Sequence, residues 1–454
     1  MSIFTQFRDW LLSPLISDEE RASKERVELI RDYYVGDHEP QLKTRYKQVN
    51  YNATANVIKT VIDDAIALLF GYGIGFDLPG EGDTPEDKYL QEVWDLNRQE
   101  ILLHNVAKVG AETGTCAVKI IEDGIYSQKM GRNVPRLVVQ DTVFLTISTE
   151  PNDLDQHTKY VIEYTYIKEG GKEGAHRQEI IRLVTPDGAR TWQVIDYEAD
   201  NNKWVEQSNI IWPHYFPPLI VWQNLPEIRS PKGIPDVTTD TIRAQDKLNF
   251  VLSDTIKTNS LYAHPKLVAK NATLSDTVDG SPDTLIEISG PDADMTILEM
   301  NSEMAGSLAL FDKIKSVIFD TTGTVDTARL AGTGDMTNFR VKIAFQKALQ
   351  KLHVKRELYG DALININKYL LILGGYGEDP DPGEIVWPEV LPINEMEHAT
   401  SVQTDLGMGI VSKQTAAKKR GYDWEQEQER LADEQVNTLD IGTAILNSFN
   451  QGNQ

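Results

Sequence analysis

The sequence predicts an α+β protein. Apolar residues recur at helical spacing between residues 18 and 113, β-branched and aromatic segments divided by turns fill residues 115–195, and long helical stripes return after residue 236. The chain has 454 residues, about three domains' worth. With 40% hydrophobic and 25% charged residues it falls in the ordinary globular range, so wholesale disorder is excluded. Its 69 Asp and Glu against 45 Lys and Arg give a net charge of −24, which argues against non-specific nucleic-acid binding by the bulk surface. A single cysteine, Cys116, rules out an intrachain disulfide and an all-cysteine metal site. No apolar run reaches the roughly 20 residues of a spanning helix, and Met1 to Ile16 lacks the basic leader of a signal peptide. A soluble protein of an intracellular setting is expected.

Taken in order, Ser17-Asp-Glu-Glu20 reads as a capping box opening a helix that ends before Gly36. Val57, Val61, Ala65 and Leu68 mark a second helix over about 55–70, and Gly71-Tyr-Gly-Ile-Gly75-Phe76 reads as a helix stop leading into a strand. Residues 85–113 read as one further helical stretch. Six strands follow, at 117–121, 136–139, 143–146, 160–166, 179–184 and 191–195, a mostly antiparallel arrangement of hairpins. Lys168 to His176 is expected at an exposed hairpin tip.

Prolines 213, 217 and 218 mark a boundary, and Pro231 with Pro235 introduces a helix over Asp236 to Tyr262, striped by Leu248, Leu252 and Ile256. Residues 263–300 read as a small strand-and-turn insert, after which Leu308, Phe311, Ile314 and Ile318 resume a helix. Thr321 to Thr337 is rich in Gly and Thr and short of large apolar residues, so it is expected to be a mobile loop. Phe345, Leu349, Leu352, Leu363, Ile366 and Leu370 then mark a helix of some 35 residues with a candidate kink at Gly360. A short strand at 385–387 and helical patterns within 394–407 and 413–449 complete the chain. Two amphipathic helices projecting from mid-chain bury little surface alone, so they ask for neighbouring subunits.

The residues offer no enzyme chemistry. The eight histidines are scattered without His-x-x-x-His spacing, and neither a Gly-x-x-x-x-Gly-Lys loop nor a Gly-x-Ser-x-Gly elbow occurs. Asp63 and Asp64 are adjacent on a helix and point apart, while Asp379-Pro-Asp-Pro-Gly-Glu384 has the wrong spacing for calcium. Glu395, Glu397 and His398 read as a solvated helix start. No catalytic residue, metal ligand or cofactor is assigned.

Several passages, in order, resemble the portal proteins of tailed double-stranded-DNA bacteriophages of the siphovirus type. They are Tyr33-Tyr-Val-Gly-Asp-His38, Asn52 through Phe76, Pro218-Leu-Ile-Val-Trp-Gln-Asn224, Gln245-Asp-Lys-Leu-Asn249 with Leu252-Ser-Asp254, and Gly409-Ile-Val-Ser-Lys-Gln-Thr415 with the acidic 423–434 behind it. The lead into the stem helix departs from the usual pattern, reading Glu227-Ile-Arg-Ser-Pro-Lys-Gly233.

The resemblance implies a portal-type ring subunit. Residues 1–233 would form an α/β wing, 234–262 and 301–320 the two stem helices, 263–300 a small clip and 321–338 a tunnel loop. The long helix and strand at 339–393 would return to the wing, followed by a helical crown at 394–447 and a tail at 448–454. It further implies a ring of usually twelve copies at one capsid vertex of the virion, assembled in the host cytoplasm without a membrane. Double-stranded DNA would pass through it, and its partners would be the terminase large subunit, head-completion or adaptor proteins, and the major capsid and scaffolding proteins.

On that reading the channel candidates are Lys313, Lys315, Thr321, Thr324, Arg329, Thr333, Asp335 and Asn338. Arg329 is the foremost DNA-touching base, with intersubunit pairing as its alternative. Transient phosphate contacts compete with subunit-to-subunit salt bridges for Lys313 and Lys315. The docking candidates in the clip are Lys270, Asn271, Asp276, Asp279 and Asp283. A different virion connector or minor head protein, and a soluble acidic hydrolase, remain as rival readings.

Overall fold

The computed structural model describes residues 18–42, 50–78, 84–122, 127–128, 131–167, 173–184, 188, 190–200, 203–263, 266–270, 273–274, 288–289, 292, 294–298, 304–327, 338–391, 395–419, 424, 427–428 and 430. Mixed α and β structure is what it contains, and every strand pairing is antiparallel. Two units divide the chain, Met1–Gly334 with Ala344–Pro388, and Asp335–Ile343 with Glu389–Gln454.

The first unit opens with helices α1 (Asp18–Val35) and α2 (Val57–Phe70), then strand β1 (Gly75–Asp77). The stretch at 85–113 is two helices rather than one, α3 (Pro85–Leu96) and α4 (Gln99–Thr113). Arg98 adopts φ 54° between them, and the Asn97 side-chain amide donates to the Val93 and Pro135 carbonyls, closing α3. Then come β2 (Thr115–Ile121), β3 (Arg136–Val139), β4 (Leu145–Glu150), β5 (Asp153–Ile167), β6 (Glu173–Val184), β7 (Arg190–Asp200), β8 (Lys203–Trp212) and β9 (Leu219–Gln223). Strand β4 starts later than expected because Thr142–Phe144 forms a 3-10 turn capped by Asp141.

Strand β8 is absent from the sequence reading: its polar run Glu206-Gln-Ser-Asn209 masks the alternation. Most of the hairpin tip at 168–176 lies outside the described residues.

Strands β4 to β8 form a five-stranded meander, and β3-β2-β9 a second sheet. One face of the meander presents Leu145, Tyr160, Ile162, Ile180 and Trp192, which pack on Ala117 and Leu219 of the second sheet. The other face is mixed: Glu179, paired to Lys159 and Arg177 at 2.6 Å each, stands opposite the buried Ile195. Two-residue periodicity thus assigns alternate side chains to the two faces.

Helix α5 (Thr239–Ala263) is followed by β10 (Lys266–Lys270), β11 (Thr273–Leu274), β12 (Ile288–Ser289), β13 (Asp294–Leu298), α6 (Met304–Thr322), α7 (Asn338–Leu373) and β14 (Glu384–Val386). Strand β10 pairs with β13, and β14 returns to β1. Helices α5 and α6 pack along each other. Helix α7 runs unbroken through Gly360, and its buried stripe Leu352, Tyr359, Leu363, Ile366 and Leu370 lies in the core. Trp94 of α3 donates from Nε1 to Asn367 Oδ1 at 2.8 Å, fastening α7 to the N-terminal helices.

The second unit contains α8 (Glu395–Gly407) and α9 (Lys413–Lys419); the pattern read beyond 419 lies mostly outside the described residues. Among those residues no helix is long and apolar enough to cross a membrane.

Cys116 is fully buried and its thiol donates to the Tyr359 hydroxyl at 3.0 Å. Burial pushes the thiol up to about 12, so it stays a thiol, which is the unreactive form. A maleimide or disulfide reagent at mildly alkaline pH is expected to leave the folded chain unlabelled and to label one site on denaturation. Labelling of the folded chain would contradict this burial.

Candidate functional site: the root of the paired helices

The site is built on α5. Gln245, Asn249 and Ser253 recur every fourth residue, so they share one face of that helix. Against them run the irregular segment 53–56 and the first residue of α2, Val57. Ser253 Oγ accepts from the Ala53 amide at 3.0 Å, and Asn249 Oδ1 accepts from the Ala55 amide at 3.1 Å. Gln245 Nε2 donates to the Ala55 carbonyl at 2.6 Å, while its Oε1 accepts from the Val57 amide at 3.1 Å. The helix therefore supplies side-chain partners to backbone groups that no strand or helix ladder satisfies.

The Asn249 amide also donates to His38 Nδ1 at 2.8 Å. This makes Nδ1 the acceptor, so Nε2 carries the proton and donates to the Tyr33 carbonyl at 2.9 Å. Burial lowers the His38 pKa, in keeping with a neutral ring. The Tyr33 hydroxyl donates to Asp246 at 2.5 Å. Passages at 33–38 and 53–57 are thus joined to 245–253, 188 to 213 residues further on, in one hydrogen-bonded assembly.

Three residues before α5 lies Asp236, whose side chain is 0% exposed. Its amide donates to the Ala111 carbonyl at 2.9 Å, tying it to the end of α4. Lys355 Nζ donates to one carboxylate oxygen at 2.5 Å and Lys351 Nζ pairs with the other at 2.7 Å. Both lysines stand on α7, one turn apart. Desolvation works to raise the Asp236 carboxyl, but Lys355 and Lys351 outweigh it and hold the pKa at about 2. Burial lowers Lys355, whose side chain is only 4% exposed. Beyond the ion pairs, Asn224 Nδ2 reaches Asp236 at 3.3 Å, and Asn224 Oδ1 accepts from the Tyr359 hydroxyl at 2.9 Å.

Lys351 also donates to the Thr322 carbonyl at 2.7 Å, at the C-terminal end of α6. That end is closed by Gly323 at φ 72° and by the Thr324 amide donating to the Phe319 carbonyl at 3.0 Å, a Schellman arrangement. Lys347, a turn before Lys351, reaches the Asp320 carbonyl at 3.4 Å. Cations at this helix end complement its dipole.

The sequence-predicted channel residues divide accordingly. Lys313 is exposed on α6. Lys315 pairs with Asp326 at 3.4 Å within the chain and lies 5.2 Å from the Phe319 ring. Thr321, assigned to the loop, is helical and donates to the Val317 carbonyl at 2.6 Å, because α6 runs two residues past its expected end. Thr324 Oγ1 is 2.9 Å from Thr322 Oγ1 and belongs to the helix stop. Asn338, also assigned to the loop, is the first residue of α7. Arg329, Thr333 and Asp335 lie outside the described residues. In the clip, Lys270 is exposed and sits opposite Asp294 in the β10–β13 register, while Asn271, Asp276, Asp279 and Asp283 lie outside the described residues.

Sequence reasoning missed Asp236, Lys351 and Lys355. A signal was present: Lys355 falls on the apolar stripe of α7, between Leu352 and Tyr359, where a lysine needs a buried partner.

Among the described residues no group of three or more His, Cys, Asp or Glu could hold a metal ion. The family model described as phage portal protein, SPP1 Gp6-like, matches residues 15–438, and the chain belongs to that family. No curated protein matches the chain.

Proposed function

We propose that this chain is the portal subunit of a tailed phage: twelve copies close into a ring at one capsid vertex, and double-stranded DNA is packaged and ejected through its bore. The observation that carries the reading is the family match over residues 15–438. Helices α5 and α6 would be the stem, β10–β13 the clip that docks terminase and later the head-completion proteins, and residues 394–447 the crown. Capsid and scaffolding proteins would surround the ring.

Two properties support this. The paired helices leave Phe250, Ile256, Leu308, Leu310 and Val317 exposed by 41–54%, apolar surface that neighbouring copies would cover. A net charge of −24 per chain gives DNA few phosphate anchors, so the duplex would slide rather than be held. Lys313 is the candidate for transient phosphate contact on α6. The family description favours this reading over a different connector or an acidic hydrolase.

Mass determination and negative-stain imaging of the purified chain test it. The expected result is a particle many times 51.1 kDa with an axial hole and a projecting stem. A lone molecule at every concentration overturns the proposal.

A further inference from the structure

The loop that follows α6 leaves the helix from a fixed root. Besides the Schellman closure, three groups hold it: Lys351 on the Thr322 carbonyl, Lys347 on the Asp320 carbonyl and Lys315 on Asp326. Of these, Lys351 differs in kind. Its ammonium stands 2.7 Å from the Thr322 carbonyl and 2.7 Å from the Asp236 carboxylate, so one cation joins the end of α6 to the residue that introduces α5. Lys347, at 3.4 Å from its carbonyl, and Lys315, at 3.4 Å from an aspartate on the loop itself, do not reach α5's root.

Asp236 is held in turn by Lys355, Asn224 and the Ala111 carbonyl, and is a rigid post. A cavity of about 20 Å³ lies beside this junction, lined by Asp64, Thr322, Gly323, Thr324, Lys351 and Lys355. It has room for about one water.

We infer that Lys351 is a positioning residue: by bridging Thr322 and Asp236 it sets the direction in which the loop between α6 and α7 departs and locks that direction to the root of α5. A displacement of either helix of the pair would then reach the loop through this ammonium. The consequence for DNA passage rests on the portal reading; the bridge itself does not.

Hydrogen exchange on the full chain tests the bridge, read at the Thr324 amide. Lys351→Met is expected to raise its exchange rate about tenfold or more, as loss of a hydrogen bond to a charged group implies. Lys351→Arg should restore protection, and amides of β6 should be unchanged in both variants. An unaltered Thr324 rate in Lys351→Met, or an equal acceleration in β6 that marks general loosening, overturns the inference.

A packaging assay with rings of Lys351→Met tests the consequence. DNA entry is expected to be lost while ring mass is retained, and normal packaging beside raised exchange would sever loop placement from DNA passage. Failure of the unsubstituted chain to form rings would sink the portal reading and leave the exchange result standing.

Discussion

Asp236→Ala is expected to destabilise the chain by about 3–5 kcal/mol, the usual result of stripping one partner from a buried ion pair. The substitution leaves two ammonium groups facing each other, one of them 4% exposed, with no carboxylate between them. The first thermal transition should fall by on the order of 10 °C. Lys355→Met should cost much less, because Lys351 remains to neutralise Asp236 and the methionine fills the same channel through the core. Equal losses in the two variants would mean that volume, not charge, holds this junction.

Acid denaturation reads the same arrangement with a definite sign. The folded pKa of Asp236 lies at about 2, below its ordinary value of 3.8. The folded state therefore binds this proton less readily than the unfolded one. The stabilisation is present above about pH 4 and is lost as pH falls through about 2, a window that should disappear in Asp236→Ala.

Local signals made much of the fold legible. The helices at 18–35 and 57–70, the turn into β1, the strand-and-turn insert and the 36-residue α7 follow from periodicity, caps and glycines that each concern a few neighbouring residues. What escaped has a common cause. The break at Arg98 has no glycine or proline to announce it, and is made by Asn97 reaching the Pro135 carbonyl. Strand β8 is an edge strand whose polar centre faces solvent. The Asp236–Lys351–Lys355 junction joins residues more than 100 positions apart, and charged residues in sequence are read as surface until a partner is known. The pairing of Lys315 with Asp326 likewise shows only in the folded chain.

Gln245→Leu is the second substitution with a large expected effect, about 2 kcal/mol for the three hydrogen bonds it removes. Leucine nearly matches glutamine in volume, so no cavity opens, and the loss is confined to hydrogen bonds. Without the side-chain amide, the Val57 amide and the Ala55 carbonyl lose their Gln245 partners but keep the 2.9 Å hydrogen bond that joins them to each other, so the cost is that of the lost hydrogen bonds and not of stranded groups. Asn249 loses one donor but keeps His38 and the Ala55 amide.

Gln245→Glu separates polarity from pairing. A carboxylate still accepts from Val57 but cannot donate to the Ala55 carbonyl, and it is buried without a cation, so it should be no better than leucine at neutral pH and should improve as acid protonates it. A Gln245→Leu chain as stable as the original would show that the segment 53–57 is held by packing alone, and that the polar stripe of α5 is incidental to the fold.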